Sequence, residues 1–187
     1  KYNRKIIYMK TGILLSYKGL GANLLHLTYC HQIAKKFGPI TLITLNPKLK
    51  EVLNDDPNIE EIIYLDDFHK KFFDILKLSS FFKSLSLDNI FIFYPSLRYV
   101  LSARLAGIKK IHNYPLFNKK NLHLVKTAKK FTEKCLNIND CPTETKILVD
   151  VKNIKKLKKN NLKSIILGIG SSGPTTKWGY QNYIKLI

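Results

Sequence analysis

Two apolar periods alternate along this chain, and that alternation limits what it can fold into. Short runs rich in β-branched and aromatic residues at 13–17, 40–45, 61–65, 89–94, 110–113 and 164–168 read as strands. Between them, at 22–37, 47–53, 69–84 and 97–106, apolar residues recur at helical spacing. In the first of these Leu24, Leu27, Ile33 and Phe37 fall near one face, and Gly38-Pro39 ends the pattern. The last stops at Gly107. Helices interleaved with such strands act as crossover connections. They imply a parallel sheet covered on both faces, the doubly wound α/β architecture, rather than a string of hairpins.

Beyond residue 118 the pattern changes. A lysine-rich helix is expected at 122–136, followed by a break at Cys141-Pro142-Thr143 and a short segment at 146–151. Residues 152–163 are dense in Lys and Asn and read as a solvated connection. A fresh strand at 164–168 then enters a Gly/Ser-rich turn and a helix near Gly179. The expected organisation is a first domain at 1–150, a linker at 151–163 and the beginning of a second α/β domain at 164–187. The apolar pattern at 183–187 carries no stop signal, so the second domain is expected to continue past Ile187.

Composition narrows the functional classes. The longest apolar runs, such as Ile90-Phe91-Ile92-Phe93-Tyr94, are far short of the roughly 20 residues that a membrane-crossing helix needs. Lys1, Arg4, Lys5 and Lys10 interrupt any secretory pattern, and Cys30, Cys135 and Cys141 form no CxxC pair. A reducing, cytoplasmic setting is therefore expected. The net charge of +19, from 32 basic and 13 acidic residues, calls for anionic partners. Yet only Arg4, Arg98 and Arg104 are arginines, and the other 29 basic residues are lysines, which lack the bidentate fork. Lys, Ile and Asn crowd the whole chain, so most of this charge reads as solvated background. No RNA-binding motif is present, and no specific nucleic acid is expected.

Two loops could carry chemistry. Tyr17-Lys18-Gly19-Leu20-Gly21-Ala22-Asn23 joins the first strand to the first helix, where ligands of doubly wound folds bind. It lacks the third glycine of a dinucleotide fingerprint, and the same residues also suit a plain tight turn. The second loop, 168–177, holds Ser171, Ser172, Thr175, Thr176 and Lys177 just before Trp178 and a helix. Its hydroxyls, amides and ammonium could cradle a diphosphate. The order of a Walker loop is absent, and a flexible turn anchored by Trp178 is the structural alternative. Ser96 and Arg98 lie where the fourth strand enters its helix, either binding an acceptor anion or acting as helix cap and surface charge. Asp67 reads as a helix cap, and the phenylalanines of 68–82 as core or as a surface for anionic lipid. No metal site is expected.

The run Gly168-Ile169-Gly170-Ser171-Ser172-Gly173-Pro174-Thr175-Thr176-Lys177-Trp178, followed by Tyr183-Ile184-Lys185-Leu186, resembles the start of the C-terminal domain of the ADP-heptose lipopolysaccharide heptosyltransferase family, glycosyltransferase family 9. Gly19-Leu20-Gly21-Ala22-Asn23-Leu24-Leu25 occupies the place of that family's N-terminal Gly-Asp-x-x-Leu motif. The stretch 88–114, with Pro95-Ser96-Leu97-Arg98 and Leu105-Ala106-Gly107, is similar to its segment around the fourth strand.

This resemblance implies a GT-B fold of two Rossmann-like domains and an inverting, metal-independent transfer of heptose. The donor would be a nucleotide sugar, ADP-heptose, and the acceptor an anionic glycolipid of the lipopolysaccharide core; no separate cofactor is implied. Ser171, Ser172, Thr175, Thr176 and Lys177 would hold the donor diphosphate, and Gly21, Asn23, Ser96 and Arg98 would lie on the acceptor side. The protein would work in the cytoplasm, in peripheral contact with the inner leaflet. One departure stands out. The family's carboxylate base is absent, because Ala22 follows Gly21 and the next residue is the neutral Asn23. The catalytic base is thus unassigned, with His26, one turn on, a substitute candidate, although a lone histidine there is more often ordinary packing. The alternatives are a GT-B enzyme for another nucleotide sugar and a non-catalytic basic module for RNA or anionic membrane.

Overall fold

The structure, a computed structural model, describes residues 9–66, 74–116, 123–148 and 180–186. The chain divides into two compact units, Lys1–Asn153 and Ile154–Ile187. The first contains β1 (Thr11–Leu15), α1 (Leu20–Leu24), α2 (Leu27–Phe37), β2 (Ile40–Thr44), α3 (Leu49–Leu53), β3 (Ile59–Tyr64), α4 (Ile75–Ser84), β4 (Asn89–Ile92), α5 (Leu97–Leu105), β5 (Lys110–Asn113) and α6 (Leu124–Leu136). In the second, the described residues form one helix, α7 (Tyr180–Leu186).

All five strands run parallel, in the order β3-β2-β1-β4-β5. The chain winds outward from β1 to β3, then returns to place β4 on the other side of β1. The pleat sends alternate residues to two cores. Ile13, Leu15, Phe91 and Phe93 meet α2 and α6 on one face. Leu14, Ile90 and Ile92 meet Leu78 and Phe82 of α4 and Tyr99 and Ala103 of α5 on the other. Every residue of β1, β2 and β4 is buried, as a sheet covered on both faces requires.

The strand and helix order expected for the first unit is observed, with informative shifts at the boundaries. The first strand begins at Thr11 and ends at Leu15, two residues earlier than expected at each end. It takes in Gly12, over which the tip of the Leu87 side chain packs: an added Cβ would come within 2.5 Å of its Cδ1. The helix expected at 22–37 is broken into α1 and α2. The reason is His26: its ring Nδ1 lies 2.7 Å from the Ala22 carbonyl, the acceptor its own amide would use in a continuous helix. That amide donates instead to Asn23 O.

Gly107 ends α5 as expected. With φ +82° its N–H donates to Arg104 O, and the Ile108 N–H reaches back to Ala103 O, a Schellman closure. Asp67, His69, the first phenylalanines of 68–82, the linker 151–163 and the strand 164–168 lie outside the described residues. Phe82 is fully buried and Phe81 packs beside it, so these two belong to the core. Among the described residues no helix is long and apolar enough to cross a membrane, and no cluster of three or more His, Cys, Asp or Glu side chains could hold a metal ion.

Candidate functional site

The winding reverses between β1 and β4, and the loops leaving their carboxyl ends diverge there to form the edge where ligands of such sheets bind. Ser16, just past β1, and Tyr99 of α5 bridge this switch point through their hydroxyls at 3.0 Å. Lys18, Gly19, Gly21, Tyr94 and Leu97 are exposed along it. A Cβ at Gly19 or Gly21 would meet nothing within 4 Å, so neither glycine is demanded by packing and the space over the loop is open.

The loop itself is held from below. Asn23, expected to face an acceptor, is turned into the fold and only 1% exposed. Its Nδ2 donates to Tyr17 O at 2.9 Å and to Gly19 O at 2.7 Å, while its Oδ1 accepts from the Thr44 hydroxyl at 3.1 Å. Asn46 adds a second tie, donating from Nδ2 to Lys18 O at 2.6 Å. Both amide hydrogens of Asn23 are used, so it positions the loop and leaves no donor for a substrate hydroxyl. Thr44 and Asn46 went unrecognised in sequence, although Asn46-Pro47 at a strand end is a turn signal.

His26 is corrected in the same direction. It is fully buried in an aromatic box, stacked on Tyr17 at 4.8 Å and edge-on to Phe93 at 5.3 Å. A carbonyl only accepts, so Nδ1 carries the proton toward Ala22 O, and Nε2 accepts from the Tyr114 hydroxyl at 3.1 Å. Burial pushes its pKa below the ordinary 6.5, the Ala22 hydrogen bond opposing. Burial, with Tyr94 nearby, likewise raises the Tyr17 phenol to about 12, and burial raises Tyr114 too. The box is neutral, and His26 has no free lone pair with which to take a substrate proton. No local signal announces Tyr114, which joins from far along the chain.

The sign of this shift predicts acid sensitivity. Between the ordinary pKa and the lower folded one, the unfolded chain binds more protons, so stability rises with pH there and is lost as pH falls below 6.5. His112, lowered by burial and by Lys110 and Lys36, acts in the same sense. Urea titrations from pH 7.5 to 5 should show stability falling by up to about 1.4 kcal/mol per pH unit from His26. A flat profile would contradict the buried neutral ring. Asp56 adds a second stage at lower pH. Burial works to raise its pKa, but hydrogen bonds from His31, at 2.7 Å, and from Asn58 hold it below 3.8, so its contribution is present above that value and lost as pH falls through the folded one.

On the β4 side Ser96 caps α5, its Oγ accepting from the Tyr99 N–H at 3.4 Å. The Arg98 guanidinium lies over the Tyr99 ring, 5.1 Å from its centroid. Among the described residues it has no ion-pair partner, which leaves its donors available to an anion. The structure thus brings Gly21, Arg98 and the capped Ser96 to one edge, and it withdraws Asn23 and His26. Ser171, Ser172, Thr175, Thr176 and Lys177 lie outside the described residues.

A five-stranded parallel sheet wound in this order, with its open loops at the β1/β4 reversal, is a Rossmann-like fold. It has the fold of the N-terminal domain of GT-B glycosyltransferases. No protein-family model matches the chain, and neither does any curated protein. Among solved structures it is similar to the glycosyl transferase family 9 from Veillonella parvula, with a TM-score of 0.58 and 18% identity over 78% of this chain and 46% of that one. It is also similar to the ADP-heptose lps heptosyltransferase II of E. coli, with a TM-score of 0.50 and 15% identity over 77% and 48% of the two chains. At these identities the likeness is one of fold, and the chain spans about half the length of each structure.

Proposed function

We propose that this chain belongs to a GT-B glycosyltransferase that moves heptose from ADP-heptose to an anionic glycolipid of the lipopolysaccharide core, its first unit forming the acceptor side. The observation that carries the reading is the open glycine loop at the β1/β4 reversal, held by Asn23, Thr44 and Asn46, in a fold shared with structures described as glycosyl transferase family 9 and as an ADP-heptose heptosyltransferase. Lys18 and Arg98 would meet the acceptor's negative charge at this edge. Ser171, Ser172, Thr175, Thr176 and Lys177 would receive the donor diphosphate. Negative charge grows on that diphosphate as the glycosidic bond breaks, and preorganised donors then stabilise it more than they do the ground state. No separate cofactor is invoked. The site would work at the cytoplasmic face of the inner membrane, where the acceptor is anchored.

Positions 22 and 23 offer no carboxylate, and His26 is locked, so the group that takes the acceptor proton lies outside α1. The direct test is to incubate the complete protein with ADP-heptose and a heptose-free core glycolipid and follow the product by mass spectrometry, with other nucleotide sugars in parallel. Transfer of heptose supports the reading. Transfer from another sugar nucleotide alone removes the donor assignment, and absence of transfer from all of them removes the enzyme. In an active protein Lys177→Ala should lower turnover about ten- to a hundredfold, the value of one charge-assisted hydrogen bond, with little change in stability. Unchanged turnover would remove Lys177 from the site.

A further inference from the structure

A second concave site lies between the edge strand β5 and helix α6. It is a cavity of about 340 Å³, a size that admits a small organic molecule. Ile111 and Pro115, together with Phe131 of α6, give it apolar walls; His112, Lys130 and Lys134 line it as well. Among the described residues no acidic side chain does.

The charges here are unbalanced. Lys130 and Lys134 are one turn apart on the same face of α6, where like charges repel. Lys129, their neighbour, is paired with Glu133 at 3.7 Å and Asp140 at 3.0 Å. Among the described residues Lys130 and Lys134 have no such partner. His112 stacks flat on Phe91, with centroids 4.4 Å apart, and stands in the field of Lys110 and Lys36. An anion would relieve this repulsion, and the apolar walls would reward a ligand that also carries a hydrophobic body.

We propose that the cavity between β5 and α6 binds a small organic phosphate monoester, its apolar body against Ile111, Pro115 and Phe131 and its phosphate at Lys130 and Lys134. It shares no residue with those assigned to the transfer reaction. Both lysines are exposed, so their replacement should leave the fold intact.

The test is an NMR titration of the 187-residue chain with phenyl phosphate, using inorganic phosphate and benzyl alcohol as controls. Phenyl phosphate should give saturable shifts confined to 111–115 and 127–135. Each control should bind at least tenfold more weakly, and a Lys130→Ala/Lys134→Ala variant should lose at least tenfold in affinity. Three results would overturn the proposal: shifts spread over the lysine-rich surface, equal binding of inorganic phosphate, or undiminished affinity in the double variant. The first would mean that delocalised charge alone attracts the anion.

Discussion

Phe93→Ala should lower the stability of the first unit by about 4 kcal/mol, the middle of the range for emptying a buried phenylalanine site. Phe93 directly follows β4, is fully buried, and packs edge-on against three rings: His26 at 5.3 Å, Tyr114 at 5.6 Å and Phe131 at 5.0 Å. Those rings come from α1–α2, the end of β5 and α6, so the cavity left by its loss cannot be filled by moving one element. Domains of this size are stable by about 5–15 kcal/mol, which leaves the variant near its limit. Urea unfolding should show a lower midpoint at an unchanged slope. A loss under about 1 kcal/mol would mean that the box collapses freely and does not fix the elements around it. Phe93→Leu, which keeps most of the volume, should lose much less.

Asn23→Ala should lose about 3 kcal/mol, since it removes three hydrogen bonds at about 1 kcal/mol each. The Thr44 hydroxyl then loses its buried acceptor and keeps only the bond from the Asn46 N–H, the Tyr17 carbonyl loses its donor, and the Gly19 carbonyl keeps only the 3.4 Å bond from the backbone N–H of residue 23. The distinguishing readout is local. Amide exchange in 17–21 should speed up well beyond what the global loss explains, because the loop is released from β2. Asn23→Asp separates the two roles proposed for this position. A carboxylate keeps the bond from Thr44 but cannot donate to the two carbonyls, so a base acting on substrate would gain activity where a loop tie loses stability. We expect loss of stability and no gain of activity.

Taken together, these features make the β1/β4 edge a preorganised frame rather than a reactive centre. Asn23, Thr44, Asn46 and His26 are each committed to holding a loop or a helix break. Exposed along the edge are Lys18, Gly19, Gly21 and Tyr94, with Arg98 half-buried over the Tyr99 ring. In the proposed function such an edge would bind and orient the acceptor, and the donors and base for transfer would come from elsewhere.

The order of strands and helices in the first unit could be read from the sequence, because it depends on local periods: β-branched runs, helical spacing, and stops such as Gly38-Pro39 and Gly107. The doubly wound class follows from that order, since parallel neighbours need crossovers. The placement of the 17–23 loop between the first strand and the first helix was legible for the same reason. What the sequence did not reveal was the direction in which side chains point. Asn23 and His26 look like exposed, chemistry-bearing residues on a helix start, but their partners come from β2 and from Tyr114, at separations no local pattern encodes. The break between α1 and α2 was hidden likewise, since it arises from one side chain competing for a backbone carbonyl. Periodicity alone therefore determined the element order and the parallel sheet. The roles of Asn23 and His26 were decided only in the tertiary structure, because burial and hydrogen-bond saturation depend on which distant residues arrive beside them.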